Sequence, residues 1–570
     1  MTAPSDARAV AEAARDRSWR KPSFARELFL GRLRLDLVHP LPEPDREASE
    51  RGERFLEDLR AFCSDRVDPL VIEREDRIGD DVVSGLAGIG AFGITIPKEY
   101  GGLGLSTLTY GRALMLVGSV HSSIAALLSA HQSIGVPEPI RLAGTRQQKQ
   151  TYLPRCAAGA ISAFLLTEPD VGSDPARLGT VARPTPDGSG YVIDGVKLWT
   201  TNGVVAELLV VLARVPTSEG HRGGITAFVV EADTPGITVE HRNRFMGLRG
   251  IENGVTRFDG VRVGADAVIG EEGAGLRIAL STLTTGRLSI PAVCAGAATW
   301  SASIARRWTA TREQWGVPIG KHAAVAHKVA YISATAYAME SVFELTARLV
   351  DAGGNDVRLE AALAKLFASE AGWQVADDLV QLRGGRGYET AESLRARGER
   401  AVAAEQLLRD MRVNRLFEGS TEIMRLLIAR EAVDAHLDVA GPLVDPAAEL
   451  SSKARAAGRA ARFYSGWLPR LVVGPGLDPR AYREFGILAP HLRFVERTSR
   501  RLARHTFAGM ARWRGRLERN QGFLGRLVDV GAELFAMTAV CVRAQAERER
   551  ARDAGSGDEG GANARELADA

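Results

Sequence analysis

Three short stretches carry residue types that could do chemistry. In NRLFEGSTEIMR (414–425) a lone acid, Glu418, precedes Gly419, Ser420 and Thr421 where an apolar helical pattern begins. Small hydroxyl residues open helices, and an acid near a helix N-terminus is stabilised by the dipole by roughly 0.3–1 kcal/mol. Glu418 therefore reads as helix chemistry unless the rest of the chain supplies a reaction for it. In AFLLTEPDVGSD (163–174), Thr167, Gly172 and Ser173 offer hydroxyls and a backbone NH, groups that clasp a heteroaromatic ring edge or a phosphate. The same residues also read as a loop ending in a Ser-Asp turn. KLWTTNG (197–203) ends a strand at an Asn-Gly turn, where Trp199 is either core or a platform for a flat cofactor.

The elements that must position these residues change along the chain. From about residue 45 to 159 the pattern is helical: Phe55, Leu56, Leu59 and Phe62 form one apolar stripe, and further helices are predicted near 103–117, 122–142 and 145–158. From 161 to about 270, short β-rich runs (YVIDGVKLW, LLVVLARV, ITAFVVEA) alternate with Asp-Gly and Asn-Gly turns, the pattern of a small antiparallel barrel or sandwich. Long helices return at 276–309, 325–352, 359–382, 405–416 and 420–435, with short connections that imply an antiparallel bundle. No βαβ alternation appears, so GGRGYE near Gly384 is not a dinucleotide fingerprint.

The fold class is mostly α with a central β-domain. Its parts are an N-terminal extension (1–49), a helical domain (50–160), a β-barrel domain (161–270), a helical bundle carrying Glu418 (271–438) and a C-terminal helical extension (439–550). The tail, 551–570, has too little apolar surface to fold and is expected to be disordered.

Composition narrows the function classes. The 570 residues include 73 basic and 70 acidic ones, so the total charge does not call for nucleic acid. Cys63, Cys156, Cys294 and Cys541 are scattered without CxxC spacing, which fits a reducing compartment. Neither they nor the ten histidines suggest a metal site. No apolar run approaches the roughly 18 residues that span a bilayer, and the amino terminus has no signal-peptide core. A cytoplasmic protein from a GC-rich bacterial genome is expected.

Taken in order, six motifs resemble the flavin-dependent acyl-CoA dehydrogenase superfamily: LLTEPDVGSD, KLWTTNG, MGLRGIENGVTRFDGVRV, TREQWGVPIGKH, QLRGGRGY and LLRDMRVNRLFEGSTEIMR. The resemblance covers roughly residues 51–435. SFARELFLGRL (23–33), SAHQSIG (129–135) and the C-terminal extension are similar to the very-long-chain branch.

The resemblance implies FAD as cofactor, with Phe164, Thr167 and Ser173 lining the flavin and Trp199, Thr200 and Thr201 flanking it. Arg312 and Gln314 would reach the FAD of a neighbouring subunit, although Trp315 stands where the family usually has Phe. Gln381, Gly384 and Gly385 would contact the adenosine end, beside Arg383 and Arg386, where the family often has a neutral residue. Ser420 replaces the usual Thr, and Glu422 would face the flavin region. Ser173, Arg287 and Gly419 would meet the substrate. Glu418 becomes the base that removes the substrate α-proton. In a minority of the family the base sits just before the arginine, which here is Gly286, without a carboxylate; the acid usual three residues before that arginine is Thr284.

The implied activity is α,β-dehydrogenation of a long or very-long-chain fatty acyl-CoA to the trans-2-enoyl-CoA. A homodimer that hands electrons to an electron-transferring flavoprotein is implied with it. An acyl-CoA oxidase using oxygen and a non-catalytic assembly factor are the alternatives. Small residues in HSSIAALLSAHQ (121–132) would either deepen an acyl tunnel or serve close helix packing. Between 490 and 526, ten arginines stand against two glutamates. That stretch has three readings: helix faces against a partner subunit, a peripheral contact with the inner face of the membrane, and, least of all, nucleic acid.

Overall fold

A computed structural model of the chain describes residues 21–444, 448–553 and 559–569. Residues 1–20, and with them the reading of the amino terminus as lacking a leader, lie outside the described residues. The chain divides into two compact units. The first holds Pro44–Ala297 and Arg383–Asn414, and the second the described residues of 21–43, 298–382 and 415–569.

In the first unit, Asp45 caps the Arg46–Arg66 helix by accepting from the Ala48 NH at 2.8 Å. Phe55, Leu56 and Leu59 are buried, and Cys63 rather than Phe62 completes their stripe. Thr145 and Gln148 form a capping box on Arg146–Ala157. The single helix expected over 122–142 is broken: Ser122–Ser129 runs into a π-turn, Ala130–Ile134, and a new helix starts at Pro137. Only glycine fits at the break, because a side chain at Gly135 would meet the His131 carbonyl and Ser162 Oγ at 2.4 Å.

The sheet of the first unit has eight strands: β1 (Ser162–Leu165), β2 (Val181–Pro184), β3 (Gly190–Thr201), β4 (Leu208–Val215), β5 (Gly224–Glu231), β6 (Ile237–Arg242), β7 (Asn253–Gly264) and β8 (Val268–Ile269). Their order is β6-β7-β3-β2-β4-β5-β8, with β1 beside β4. Pairing is antiparallel except at β1·β4 and β2·β4. β4, LLVVLARV, is buried along almost its whole length, as a central strand covered on both faces must be.

In the second unit one apolar core joins Phe24 and Phe29 to Leu345, Leu363 and Ile428 and to Leu502, Val528 and Phe535. The N-terminal segment and the C-terminal extension are thus packed onto the bundle as one body. Ser23 and the Ala25 NH donate to the buried Glu360 carboxylate at 2.8 and 3.0 Å, and Trp467 Nε1 donates to the Leu30 carbonyl at 2.9 Å. Four arginines of the Ala489–Trp513 helix (493, 497, 500 and 504) donate to carbonyls of this same unit, which none of the three readings of that stretch foresaw. The tail also departs from expectation. Glu559–Asp569 is helical, because Ala564, Leu567 and Ala568 fall on one face and pack with Tyr337 and Val540.

One helical stretch, Gly275–Thr311, passes a length-and-composition test for crossing a membrane, against the expectation that no run would; 72% of its most apolar window is buried inside the protein.

Candidate active site

Glu418 lies outside the helix that follows it. Ser420 is the cap: its Oγ accepts from the Ile423 NH at 3.5 Å and its carbonyl from the Met424 NH at 2.8 Å, opening the helix Thr421–Val444. Two residues earlier the backbone is left-handed, with φ +52° at Glu418 and +100° at Gly419. Only glycine suits the second position, since a Cβ would also come within 2.7 Å of Met424 Sδ. Glu418 Oε2 is shielded from solvent. Glu422, on the first helical turn, has its carboxyl held below the usual range by its own backbone NH and by Ser420.

The Arg358–Arg383 helix supports this loop from two positions. Lys365, fully buried, donates through Nζ to the Gly419 carbonyl. Glu370 accepts from Arg415 Nε at 2.8 Å and from the Thr421 hydroxyl. Arg312 approaches the end of this helix, next to Gln381, through Trp308. The Arg312 guanidinium sits 6.0 Å from the Trp308 ring, and Trp308 Nε1 donates to the Leu382 carbonyl at 3.0 Å. Gln314 belongs to the short hairpin Glu313–Gln314/Val317–Pro318, whose turn holds Trp315 at φ +52° and leaves it 89% exposed.

In the first unit the loop after β1 and the end of β3 lie side by side. The Leu198 NH donates to the Thr167 carbonyl at 2.9 Å, and Lys197 Nζ donates to Glu168 Oε1 at 2.8 Å. Glu168 also accepts from the backbone NH groups of Gly179 and Thr180. Burial pushes the Lys197 ammonium down to about 8; burial alone would raise Glu168, but Lys197 and these hydrogen bonds bring it below its ordinary value.

Between Lys197 and Thr200 the β3·β7 register shifts, and at this bulge Trp199 turns out with φ +56° and 58% exposure. The open choice for Trp199 is settled against core. Thr200 points inward, only 2% exposed, so from this pleat it offers main chain rather than its hydroxyl. Thr201 accepts from Asn253 Nδ2 at 3.2 Å. Phe164 is half-buried in β1 opposite Val210, and Ser173 is exposed. A tryptophan face turned to solvent beside a hydroxyl-bearing loop fits a planar heteroaromatic group.

Gly384 has φ +61° and, with Gly385, starts a short exposed turn of helix; Arg386 nearby is paired with Glu399. Arg287 is buried at the end of the helix Gly275–Gly286, and the Thr284 hydroxyl is spent on the Leu280 carbonyl at 3.0 Å. A side chain at Gly286 would collide with Ile134 at 2.7 Å, so this backbone has no room for a base there. Of the small residues in 121–132, Ser123 serves close packing: its Oγ accepts from the Gly250 NH at 3.1 Å, and a Cβ on Gly250 would lie 3.2 Å from Ser123 Cβ.

Sequence reasoning missed Lys365, Glu370, Lys197 and Glu168. One signal was available: Lys365 is the lone charge in the apolar run AALAKLFA, and a lysine there is buried only with a partner.

Comparisons with known proteins agree with this architecture. The acyl-CoA dehydrogenase N-terminal, middle and C-terminal domain models match residues 49–160, 163–261 and 273–433. A probable acyl-CoA dehydrogenase FadE10 of Mycobacterium tuberculosis is 65% identical over 95% of this chain and 83% of its own length. The human mitochondrial very long-chain specific acyl-CoA dehydrogenase is 33% identical over 92% of this chain and 78% of its own. The fold matches an acyl-CoA dehydrogenase complexed with FAD from Bacillus anthracis, with a TM-score of 0.75 and 24% identity, covering 95% of this chain and 89% of that one. Butyryl-CoA dehydrogenase of Megasphaera elsdenii matches with a TM-score of 0.62 and 29% identity, over 66% of this chain and 97% of that one. The chain belongs to the acyl-CoA dehydrogenase family.

Proposed function

We propose that this chain is an FAD-dependent dehydrogenase of long or very-long-chain fatty acyl-CoA, with Glu418 as the base. The observation that carries the reading is where the backbone is left-handed. Among the described residues eight non-glycine positions have positive φ, and five of them (Trp199, Asn202, Leu248, Trp315 and Glu418) fall inside the six motifs. Such conformations cost of order 1–3 kcal/mol each and persist where a site needs them.

FAD, when bound, accepts the hydrogen leaving the substrate β-carbon as a hydride. Thr167, Ser173, Trp199 and Thr201 would hold its ring, and Phe164 would back it. Arg312, Gln314, Gln381, Gly384 and Gly385 would meet its dinucleotide part, the first two from a second copy in a homodimer. Arg287 would bind the acyl-CoA. The carboxylate of Glu418 takes the α-proton. A thioester α-proton is weakly acidic, so the carbonyl oxygen must meet an aimed donor as the proton leaves, and the Glu418 backbone NH is that donor. Gly419, without a side chain, lets the substrate approach.

The chain-length assignment is supported by coverage. The human very-long-chain relative aligns over 536 residues, a span that includes the C-terminal extension, whereas the butyryl-CoA dehydrogenase covers 66% of the chain. An electron-transferring flavoprotein is the proposed acceptor.

Anaerobic absorbance titration of the purified protein with acyl-CoAs from short to very long tests the reading. The flavin bleaches, most readily with the long chains; slow recovery of colour in air separates a dehydrogenase from an oxidase. Glu418→Gln retains FAD and loses turnover by roughly 10²–10⁴. A fully active E418Q protein ends the assignment.

A further inference from the structure

We infer that Lys365 is a positioning residue of the reaction, fixing the Glu418–Gly419 backbone through the Gly419 carbonyl. This rests on the reading of Glu418 as the base.

Lys365 stands in the apolar run AALAKLFA of the Arg358–Arg383 helix and is 0% exposed. An ammonium is taken out of water only where it is paired, and this one donates to the Gly419 carbonyl. The contact falls at a sensitive point. The next carbonyl, Ser420, already serves the helix through the Met424 NH at 2.8 Å, so Gly419 is the last residue before regular structure begins. The two residues that need an outside hold are Glu418 and Gly419, with φ +52° and +100°. Five residues along the same helix, Glu370 grips Arg415 and Thr421. One helix therefore clamps the loop before and after the acid.

Two consequences for the chemistry follow. Fixing the Gly419 carbonyl fixes the Gly419–Ser420 peptide and so limits how far the Glu418 backbone can move; displacement of a base by about 1 Å costs on the order of 10²-fold in rate. A buried cation close to the loop also favours the ionised form of a carboxylate beside it, which gives replacement of Lys365 by a neutral residue a signature in the pH profile.

The test uses the FAD-loaded full chain as Lys365→Met, with wild type and E418Q beside it and palmitoyl-CoA as probe. Expected for K365M are unchanged FAD per chain, KM within about threefold, an anaerobic bleaching rate lower by about 10-fold or more, and a pH midpoint of that rate moved upward. Amide exchange of a peptide covering 415–424 quickens. A bleaching rate within twofold of wild type, with an unmoved pH midpoint, overturns the inference. So does a lowered melting temperature with normal rate per bound FAD, the mark of a purely structural lysine. Should K365M fail to fold, Lys365→Gln, which loses the charge and much of the reach, is judged by the same criteria. Active E418Q would instead overturn the base assignment, so the two failures are distinguishable.

Discussion

Residues 415–421 and 469–481 are both irregular segments of the second unit, and in both a helix reaches out with cations to backbone carbonyls. In the second segment Arg493, Arg497, Arg500 and Arg504, spaced four, three and four apart on one face, donate to the carbonyls of Ala481 (3.0 Å), Gly476 (2.7 Å), Val472 (2.8 Å) and Leu471. The segment consists of short 3-10 turns around Gly474 and Gly476, and side chains supply the donors that a helix would have supplied. In 415–421 a single buried lysine does this, beneath two left-handed residues. A row of four arginines thus serves ordinary backbone, and one lysine serves strained backbone. The number of charges says little about function, and since Arg500 is buried as Lys365 is, what distinguishes the loops is the strain of the backbone that the cation holds.

The comparison breaks first at Arg500. Arg500 is 3% exposed and bonds to Glu496, 4% exposed, at 2.9 Å. Arg500→Met strands a buried carboxylate and should cost about 3–5 kcal/mol, seen as a lower melting temperature, with the flavin-bleaching rate per bound FAD within twofold of wild type. Arg497, on the same face but exposed, should cost about 1 kcal/mol or less as Arg497→Ala. Equal losses from both would mean that the comb acts as a unit and that burial does not grade it.

A pair of glycines sharpens the same contrast. Gly419→Ala must place a Cβ 2.7 Å from Met424 Sδ on a φ of +100°. It should lower the bleaching rate on the order of 10²-fold. Gly476→Ala would bring a Cβ 2.2 Å from Glu496 Oε2, an equally severe contact. It should lower the melting temperature and leave the rate per bound FAD unchanged. If both lose rate, the extension is coupled to the chemistry.

How much of this was legible in the sequence differs between the two segments for the same reason. The motif FEGST pointed to Glu418 only through the family resemblance, since by itself it read as the start of a helix; the left-handed backbone at Glu418 and Gly419 was not legible. The helix order and the strands around β3 and β4 were readable from periodicity and turn dipeptides. The backbone contacts of Arg493, Arg497, Arg500 and Arg504 were not foreseen, since a row of arginines on a helix looks the same in sequence whether it faces solvent or a loop 12 to 33 residues back. Thr200 was grouped with Trp199 and Thr201, but the bulge that turns Trp199 outward keeps Thr200 inside, and a bulge leaves no mark in a strand's composition. The break at Gly135 interrupts the helix expected over 122–142. The crowding that requires glycine there comes partly from Ser162, a residue in a different element.

One helix leads from the first segment to the surroundings of the second. Thr421–Val444 starts at the Glu418 loop and carries His436 into a cluster of Phe463, Tyr464, Trp467 and Phe507, just ahead of 469–481. His436 is 1% exposed, and burial pushes its imidazole down to about 4. Its neutral form is the one the fold accepts. Between pH 4 and 6.5 the unfolded chain binds a proton that the folded one refuses, so stability falls as pH drops through that window, by about 2 kcal/mol at pH 5 from this residue. Glu360 works oppositely: burial raises it to about 7, so its contribution is present in acid and is lost as pH rises from the ordinary carboxylate range to 7. His436→Phe isolates the histidine part. At pH 7 it should lose about 1 kcal/mol with the 3.2 Å hydrogen bond to Tyr464. At pH 5 it should be the more stable protein, the two melting curves exchanging order between. If they keep the same order at both pH values, the aromatic cluster admits the charged ring, and the extension is less tightly packed around His436 than its burial implies.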